Sequence, residues 1–367
     1  MRKLLHWKYA TWLIWLTGLT LLVLTVRSVP LGDIRQTLSG LQFWQLGVLG
    51  LLNASIFILF SLRWWWLVDA LGKRIKLHTI TAYRLAAFGV NYFTPGPQFG
   101  GEPLQVALLT KRQNFPAPQA TASVTLDKLL EMIVNLGLLV WGLALVLSSP
   151  VIPVLNGPAF LALVAGLLAL LLVYLLGVGS GRLPLTHLSH RLPKGLSQNS
   201  LIQTLAQFVY DSEKQIMRFC REQPRVFFGA AFVSLLGWSL MILEFWFSMR
   251  ILNLPVSLLE AFLVMTVARL AFLAPTPGGL GALEAGLVLA AGALGYSPAA
   301  ALSLVLLIRV RDGLLGAFGL AILFLQIRRK PVSADKGQHD MINIPEILIV
   351  QPIEAGNSPT SGVGPHG

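Results

Sequence analysis

Apolar runs at residues 44–68, 122–147, 158–178, 226–249 and 299–327 each exceed the roughly 18 to 20 residues that carry a helix across a bilayer, and a shorter run spans 12–26. Wherever lipid surrounds such a run, its backbone N–H and C=O groups must be satisfied within the segment, which for runs of this length means an α-helix. The runs predict an all-α polytopic membrane protein with about six transmembrane helices. Arg2, Lys3 and Lys8 ahead of the first run have the form of a signal-peptide n-region, but no small-x-small cleavage site follows. An uncleaved first helix is therefore expected.

Two further apolar regions, 79–110 and 256–294, are too long for one helix, and each is broken in its middle by Thr-Pro-Gly. Proline removes a backbone donor and glycine permits tight backbone paths, so each region should fold as two short helices around a non-helical turn. The breaks read TPGPQFGGE (Thr94 to Glu102) and TPGGLGALE (Thr276 to Glu284): Thr-Pro-Gly, a glycine-containing spacer, then Glu in the same register. An arginine precedes each, Arg84 in RLAAF and Arg269 in RLAF. The match predicts an internal repeat, with repeat one over about 44–147 and repeat two over about 226–327 of a 1–330 membrane domain. Residues 331–367 mix Pro, Gly, Ser and charge and are expected to form a mostly disordered tail.

Lysine and arginine placement orients these segments, because cytoplasmic loops retain positive charge. With the N-terminus inside and both broken regions returning to the side they entered, the basic residues group on one face. They are Arg2, Lys3 and Lys8; Lys73, Arg74 and Lys76; Lys111 and Arg112; the run from Arg182 to Arg225; and Arg328 to Lys336. Only Arg27, Arg35 and Arg250 fall outside. Both termini are then cytoplasmic. Three spans separate the two hairpins, so they should be re-entrant, enter from opposite faces and make the repeats inverted. The +12 formal charge is scattered among short loops and fits inner-leaflet electrostatics better than nucleic acid, which is not expected as a partner. Trp64, Trp65 and Trp66 read as an interfacial aromatic belt, and 200–219 as an amphipathic helix on the inner leaflet.

A charge at the centre of a membrane helix costs about 3 kcal/mol on insertion scales, so embedded ionisable residues demand an explanation. Here they are Arg84, Glu102, Asp127, Lys128, Glu131, Glu244, Glu260, Arg269, Glu284, Arg309, Arg311 and Asp312. Asp127 and Glu131 share a helix face and repel unless a cation from another segment lies between them; Arg309 and Asp312 are spaced to pair directly. One reading of these groups is internal pairing, the other a polar cavity for a lipid headgroup. The hairpin turns favour the second. A helix starting after a glycine turn aims unpaired N–H groups and a positive dipole end at the turn, which suits a phosphate, and Arg84 and Arg269 could clamp its oxygens. Glu102 and Glu284 stand either as helix-terminal caps or as headgroup counter-charges, and sequence alone does not separate the two. The two turns are expected to meet near the midplane with both glutamates on one cavity. The six histidines fall in loops, interfaces or the tail, and Cys220 is the one cysteine, so no catalytic residue, metal site or cofactor is expected.

The segments NYFTPGPQFGGEPLQVALLTKR (91–112) and LAPTPGGLGALEAGL (273–287) resemble the lysylphosphatidylglycerol synthase/flippase-type transmembrane family, the membrane half of multiple peptide resistance factor-like proteins. The likeness covers about 5–330. Carried over residue by residue, the matching positions are Pro95, Gly96, Gly100, Gly101 and Glu102, and Pro277, Gly278, Gly279, Gly281 and Glu284; Thr94 and Thr276 open the two motifs. The resemblance implies movement of a polar lipid between leaflets. With only 37 residues after Lys330, the soluble aminoacyl-transferase domain of the two-domain synthases is expected to be missing.

Together these readings predict a flippase or scramblase of the inner membrane and not an enzyme. Its substrate would be an anionic phospholipid, an aminoacyl-lipid or a polyprenyl or glycolipid. The substrate site would comprise the motif residues with Arg84, Asp127, Glu131, Arg269, Arg309 and Asp312. An intramembrane lipid-modifying enzyme and an accessory subunit of a lipid pathway are the alternatives, and homo-oligomer formation is left open.

Overall fold

The computed structural model describes residues 32, 40–94, 100–148, 157–189, 200–272 and 279–328. The apolar run at 12–26, the turn residues Pro95, Gly96, Thr276, Pro277 and Gly278, and the tail at 331–367 lie outside them. The chain divides into a unit of Met1–Val332 and a unit of Ser333–Gly367; the second lies wholly outside the described residues.

Among the described residues all regular structure is helical. The first series is α1 Phe43–Ala70, α2 Leu77–Phe93, α3 Glu102–Gln113 and α4 Ala117–Ser148. Three connecting helices follow, α5 Gly157–Gly179, α6 Pro184–Ser189 and α7 Ser200–Glu222. The second series is α8 Pro224–Ile251, α9 Leu258–Ala271, α10 Ala282–Ala293 and α11 Pro298–Arg328. A pattern of long, short, short, long thus occurs twice, with 28, 17, 12 and 32 residues in α1–α4 and 28, 14, 12 and 31 in α8–α11. At about 1.5 Å per residue the longest reach over 40 Å, the thickness of a bilayer with its headgroups.

Helices α1, α4, α5 and α8 are long and apolar enough to cross a membrane. Helix α11 has the length too, but Arg309, Arg311 and Asp312 interrupt its apolar run. The chain is a polytopic, membrane-embedded helical protein.

Helices α1 and α8 pack antiparallel, with partners on α8 rising in number as those on α1 fall. Trp66 lies against Gly229, Arg63 bonds Ser234, Phe60 covers Gly237, Asn53 bonds Glu244 and Trp44 meets Phe247. Around this pair the outer contacts are reciprocal: α2 packs on α11, and its counterpart α9 packs on α4. Both crossings depend on small residues that let backbones approach, the usual solution where lipid supplies no hydrophobic drive between helices. A Cβ on Gly319 would stand 2.0 Å from the Leu85 carbonyl oxygen, and one on Gly142 would stand 2.2 Å from the Thr266 hydroxyl.

Each series has its own apolar core, one centred on Trp64, Ile80, Tyr83 and Leu109, the other on Met249, Val264, Leu283 and Leu304. Trp64 is wholly buried in the first. That differs from the interfacial belt expected for the three tryptophans, because the helix phase turns Trp64 inward against Arg84. Helix α7 also differs from a purely lipid-facing amphipath. Ile216 and Phe219 bury against Leu67, Leu126, Val178 and Ala230, while Leu205 remains exposed. Its buried Glu213 accepts hydrogen bonds from the Leu185 and Thr186 amides and the Thr186 hydroxyl, tying α6 to α7.

Candidate functional site

Two charged clusters lie inside the bundle, one per series. In the first, Arg63 of α1 is completely buried and donates from Nε to Asp127 Oδ1 at 2.7 Å, from one terminal nitrogen to Glu131 at 3.3 Å and from the other to Ser234 Oγ at 3.0 Å. Arg84 of α2 binds the second oxygen of Asp127. Lys128 bridges Glu102 of α3 at 3.2 Å and Glu131 at 3.1 Å. The cation needed between Asp127 and Glu131 is therefore Arg63, supplied by the neighbouring helix.

In the second cluster, Arg311 of α11 binds Glu244 of α8 at 2.9 Å and its neighbour Asp312 at 2.8 Å. Arg309 binds Glu284 of α10 through Nε at 3.0 Å and a terminal nitrogen at 2.9 Å. The i, i+3 pairing of Arg309 with Asp312 is not what forms; α10 presents Glu284 to Arg309, leaving Asp312 to Arg311. Arg269 of α9 makes no ion pair among the described residues. Its guanidinium lies 4.7 Å from the ring centre of Trp238 and contacts the Met241 sulfur.

The clusters correspond in part, with one exchange of sign. Arg63 and Glu244 occupy the same place, the twenty-first, in two 28-residue helices, and their polar partners across the α1–α8 interface, Ser234 and Asn53, occupy the eleventh. The long fourth helix of each series answers with the opposite charge, Asp127 for Arg63 and Arg311 for Glu244. The ion pairs between first and fourth helices thus run with opposite polarity in the two series.

Between the clusters lies a cavity of about 240 Å³. Both series line it: Arg84, Glu102, Asp127, Lys128 and Glu131 from the first, and Glu244, Arg269, Arg311 and Asp312 from the second, over an apolar floor that includes Phe57, Phe88, Phe245 and Met265. Low surrounding polarity strengthens every charge interaction inside it.

The two motif glutamates occupy different environments. Glu284 is 2% exposed; its Oε2 accepts the Gly281 amide at 2.7 Å, its Oε1 takes Arg309, and it is absent from the cavity wall. It closes the start of α10, where Gly279 and Gly281 adopt left-handed φ of 68° and 79° that glycine alone tolerates easily. Glu102 lines the cavity, shares one oxygen with Lys128, and keeps Oε2 without a hydrogen-bond partner. The pair expected on one cavity is therefore divided, because Arg309 draws Glu284 away.

The turn amides expected for phosphate are also engaged. Asn91 Oδ1 accepts from the Gly100 and Gly101 amides at 2.6 and 2.5 Å, and Gly101 sits so close to α2 that a Cβ there would lie 2.5 Å from the Ala87 carbonyl oxygen. Of the motif residues, Thr94 bonds the Val90 carbonyl, and Gly100 and Gly101 shape the entry to α3; none of the three lines the cavity. Arg84, Glu102, Asp127, Glu131, Arg269 and Asp312 do line it, while Arg309 stands behind Glu284. Pro95, Gly96, Thr276, Pro277 and Gly278 lie outside the described residues. Arg63, Trp238 and Glu244 were not among the sequence-derived site residues. A charge deep in an apolar run was the available signal for Arg63 and Glu244; Trp238 carried none.

A family model for the lysylphosphatidylglycerol synthase TM region matches residues 10–326. The UPF0104 membrane protein MJ1595 of Methanocaldococcus jannaschii is 24% identical over 299 residues, covering 78% of this chain and 86% of that protein. No solved structure matches.

Proposed function

The chain belongs to the lysylphosphatidylglycerol synthase TM region family, and from that membership and the cavity we propose that it moves a polar-headed lipid between the leaflets of the cytoplasmic membrane. One observation carries this reading. An apolar bundle holds a cavity walled by four basic side chains and five carboxylates, drawn from both helix series. Membrane proteins seldom keep ionisable groups inside, and where they do the groups mark substrate paths. The space falls just below the roughly 300 Å³ at which ligand pockets begin, so it suits a headgroup while the acyl chains stay in lipid.

In this reading the two hairpins, α2–α3 and α9–α10, are re-entrant and bring their arms to the cavity from opposite faces, as paired broken helices do in transporters. The termini are cytoplasmic. The protein acts as a carrier and not an enzyme: the inward-facing Asp127, Glu102 and Glu244 are each engaged by a guanidinium or ammonium partner.

Reconstitution tests the proposal. Vesicles containing the protein should exchange acyl-labelled lipid between leaflets faster than protein-free vesicles, as read by quenching with an impermeant reductant. No acceleration across zwitterionic, anionic and polyprenyl headgroups would remove the reading. A change in headgroup mass in those vesicles would replace it with a lipid-modifying enzyme.

A further inference from the structure

The cavity wall has unused valences of both signs. On the donor side stand Arg269, which has no carboxylate, the Nε of Arg84, and the indole Nε1 of Trp238, a side chain only 4% exposed; the last two have no hydrogen-bond partner. On the acceptor side stands Glu102 Oε2, also without a partner. All four residues face the same space. Buried polar atoms are rarely left unmatched, and here three belong to residues that line one cavity.

The open donor arises from broken symmetry. Each series carries an arginine ahead of its Thr-Pro-Gly break, but α4 gives Asp127 to Arg84, whereas α11 carries Arg311 beside Asp312 and that arginine takes the carboxylate. Arg269 is left resting on Trp238, a cation–π contact that holds a guanidinium while leaving its N–H edge available.

Net charge decides what kind of ligand matches. With Arg63, which lies behind the wall bonded to Asp127 and Glu131, five basic groups face five carboxylates, so the site is neutral as it stands. A headgroup with net charge would leave that charge uncompensated in a low-dielectric space, whereas one carrying both signs adds none. Resting on the lipid-transport reading above, we propose that the cavity takes a zwitterionic headgroup, its phosphate held by Arg269 with Trp238 and Arg84, its ammonium held by Glu102. The guanidinium supplies charge-assisted bonds to phosphate oxygens, and the free carboxylate oxygen accepts from the ammonium.

The test uses acyl-labelled phosphatidylethanolamine, its N-acetyl derivative, phosphatidylglycerol and a cationic ethyl-phosphatidylcholine in vesicles holding the full chain. Phosphatidylethanolamine should cross about ten- to a hundredfold faster than the other three, the range of one or two charged hydrogen bonds. Arg269→Ala should remove most of that rate. Glu102→Gln should abolish the preference over the N-acetyl lipid, and a melting temperature matching that of the unaltered protein shows independently that this variant is folded. Equal rates for all headgroups, or unchanged selectivity in Glu102→Gln, would overturn the zwitterion assignment and leave the transport reading standing. Failure of every lipid to move would defeat the transport reading and this inference with it. Uptake of soluble phosphoethanolamine into the vesicles without lipid exchange would defeat both and assign the cavity to a free headgroup.

Discussion

Arg63 is the residue on which the first cluster depends. It is wholly buried and bonds Asp127, Glu131 and Ser234, so Arg63→Ala leaves two carboxylates short of a partner in a medium that cannot solvate them. Truncating one side of such a buried pair costs about 3–5 kcal/mol. Unfolding in detergent should show a loss of that size, and Arg63→Ala with Asp127→Asn should recover part of it. The motif glutamates give a second residue-scale expectation. Glu284→Gln weakens the Gly281 cap and the Arg309 pair and should cost about 1.5–3 kcal/mol of stability, whereas Glu102→Gln should barely move the melting temperature and act on lipid movement instead. At this scale the sequence was informative about which residues are embedded but not about their partners. Asp127 and Glu131 demanded a cation, and spacing within one helix could not reveal that it comes from α1. Glu102 and Glu284 match in register, yet their fates diverge because Arg309 stands opposite one and Lys128 opposite the other, a difference set by packing between helices.

The elements were more legible. Length and apolarity located α1, α4, α5, α8 and α11, and the Thr-Pro-Gly breaks separated α2 from α3 and α9 from α10, because proline and glycine act on the backbone locally. What sequence did not reveal is where helices cross. The α2–α11 crossing is set by Gly89 and Gly319, which have backbone atoms of the partner where side chains would be, and by Gly316, which lies against the Tyr92 and Phe93 side chains. Gly319→Ala should therefore cost about 1–3 kcal/mol through overpacking, while Ala at Gly313, which has open space around it, should be silent in the same melting measurement. Helix α7 supplies a chemical probe of its own packing. Burial pushes the Cys220 thiol up to about 11, favouring the neutral form, so only on the order of 10⁻⁴ of it is thiolate at pH 7. A water-soluble thiosulfonate added to the detergent-solubilised protein should label Cys220 slowly at pH 7, with the rate rising about tenfold per pH unit toward pH 10. Rapid labelling at neutral pH would mean that α7 is not seated on α4 and α5 as found.

For the whole molecule, the decisive relation is that the two helix series meet head to tail along α1 and α8. That relation makes the cavity a joint product: neither series alone closes it, and the exchange of sign between Arg63 and Glu244 balances charge across the pair. The motif repeat in the sequence pointed to two halves, and positive charge suggested that they are inverted, but only the contacts show the register. Cysteine cross-linking checks it in a Cys220→Ser background. Phe60→Cys with Gly237→Cys places thiols where an aromatic ring now covers a glycine, and oxidation should join them. Asn53→Cys with Ala230→Cys has the opposite meaning. In a parallel pairing that kept Phe60 beside Gly237, those two positions would also be neighbours. In the antiparallel pairing Asn53 lies beside Glu244, fourteen residues from Ala230 and so about 21 Å along the helix. A disulfide in the first pair and none in the second fixes the antiparallel register. Both forming, or only the second, would dissolve the antiparallel pairing on which the shared cavity rests.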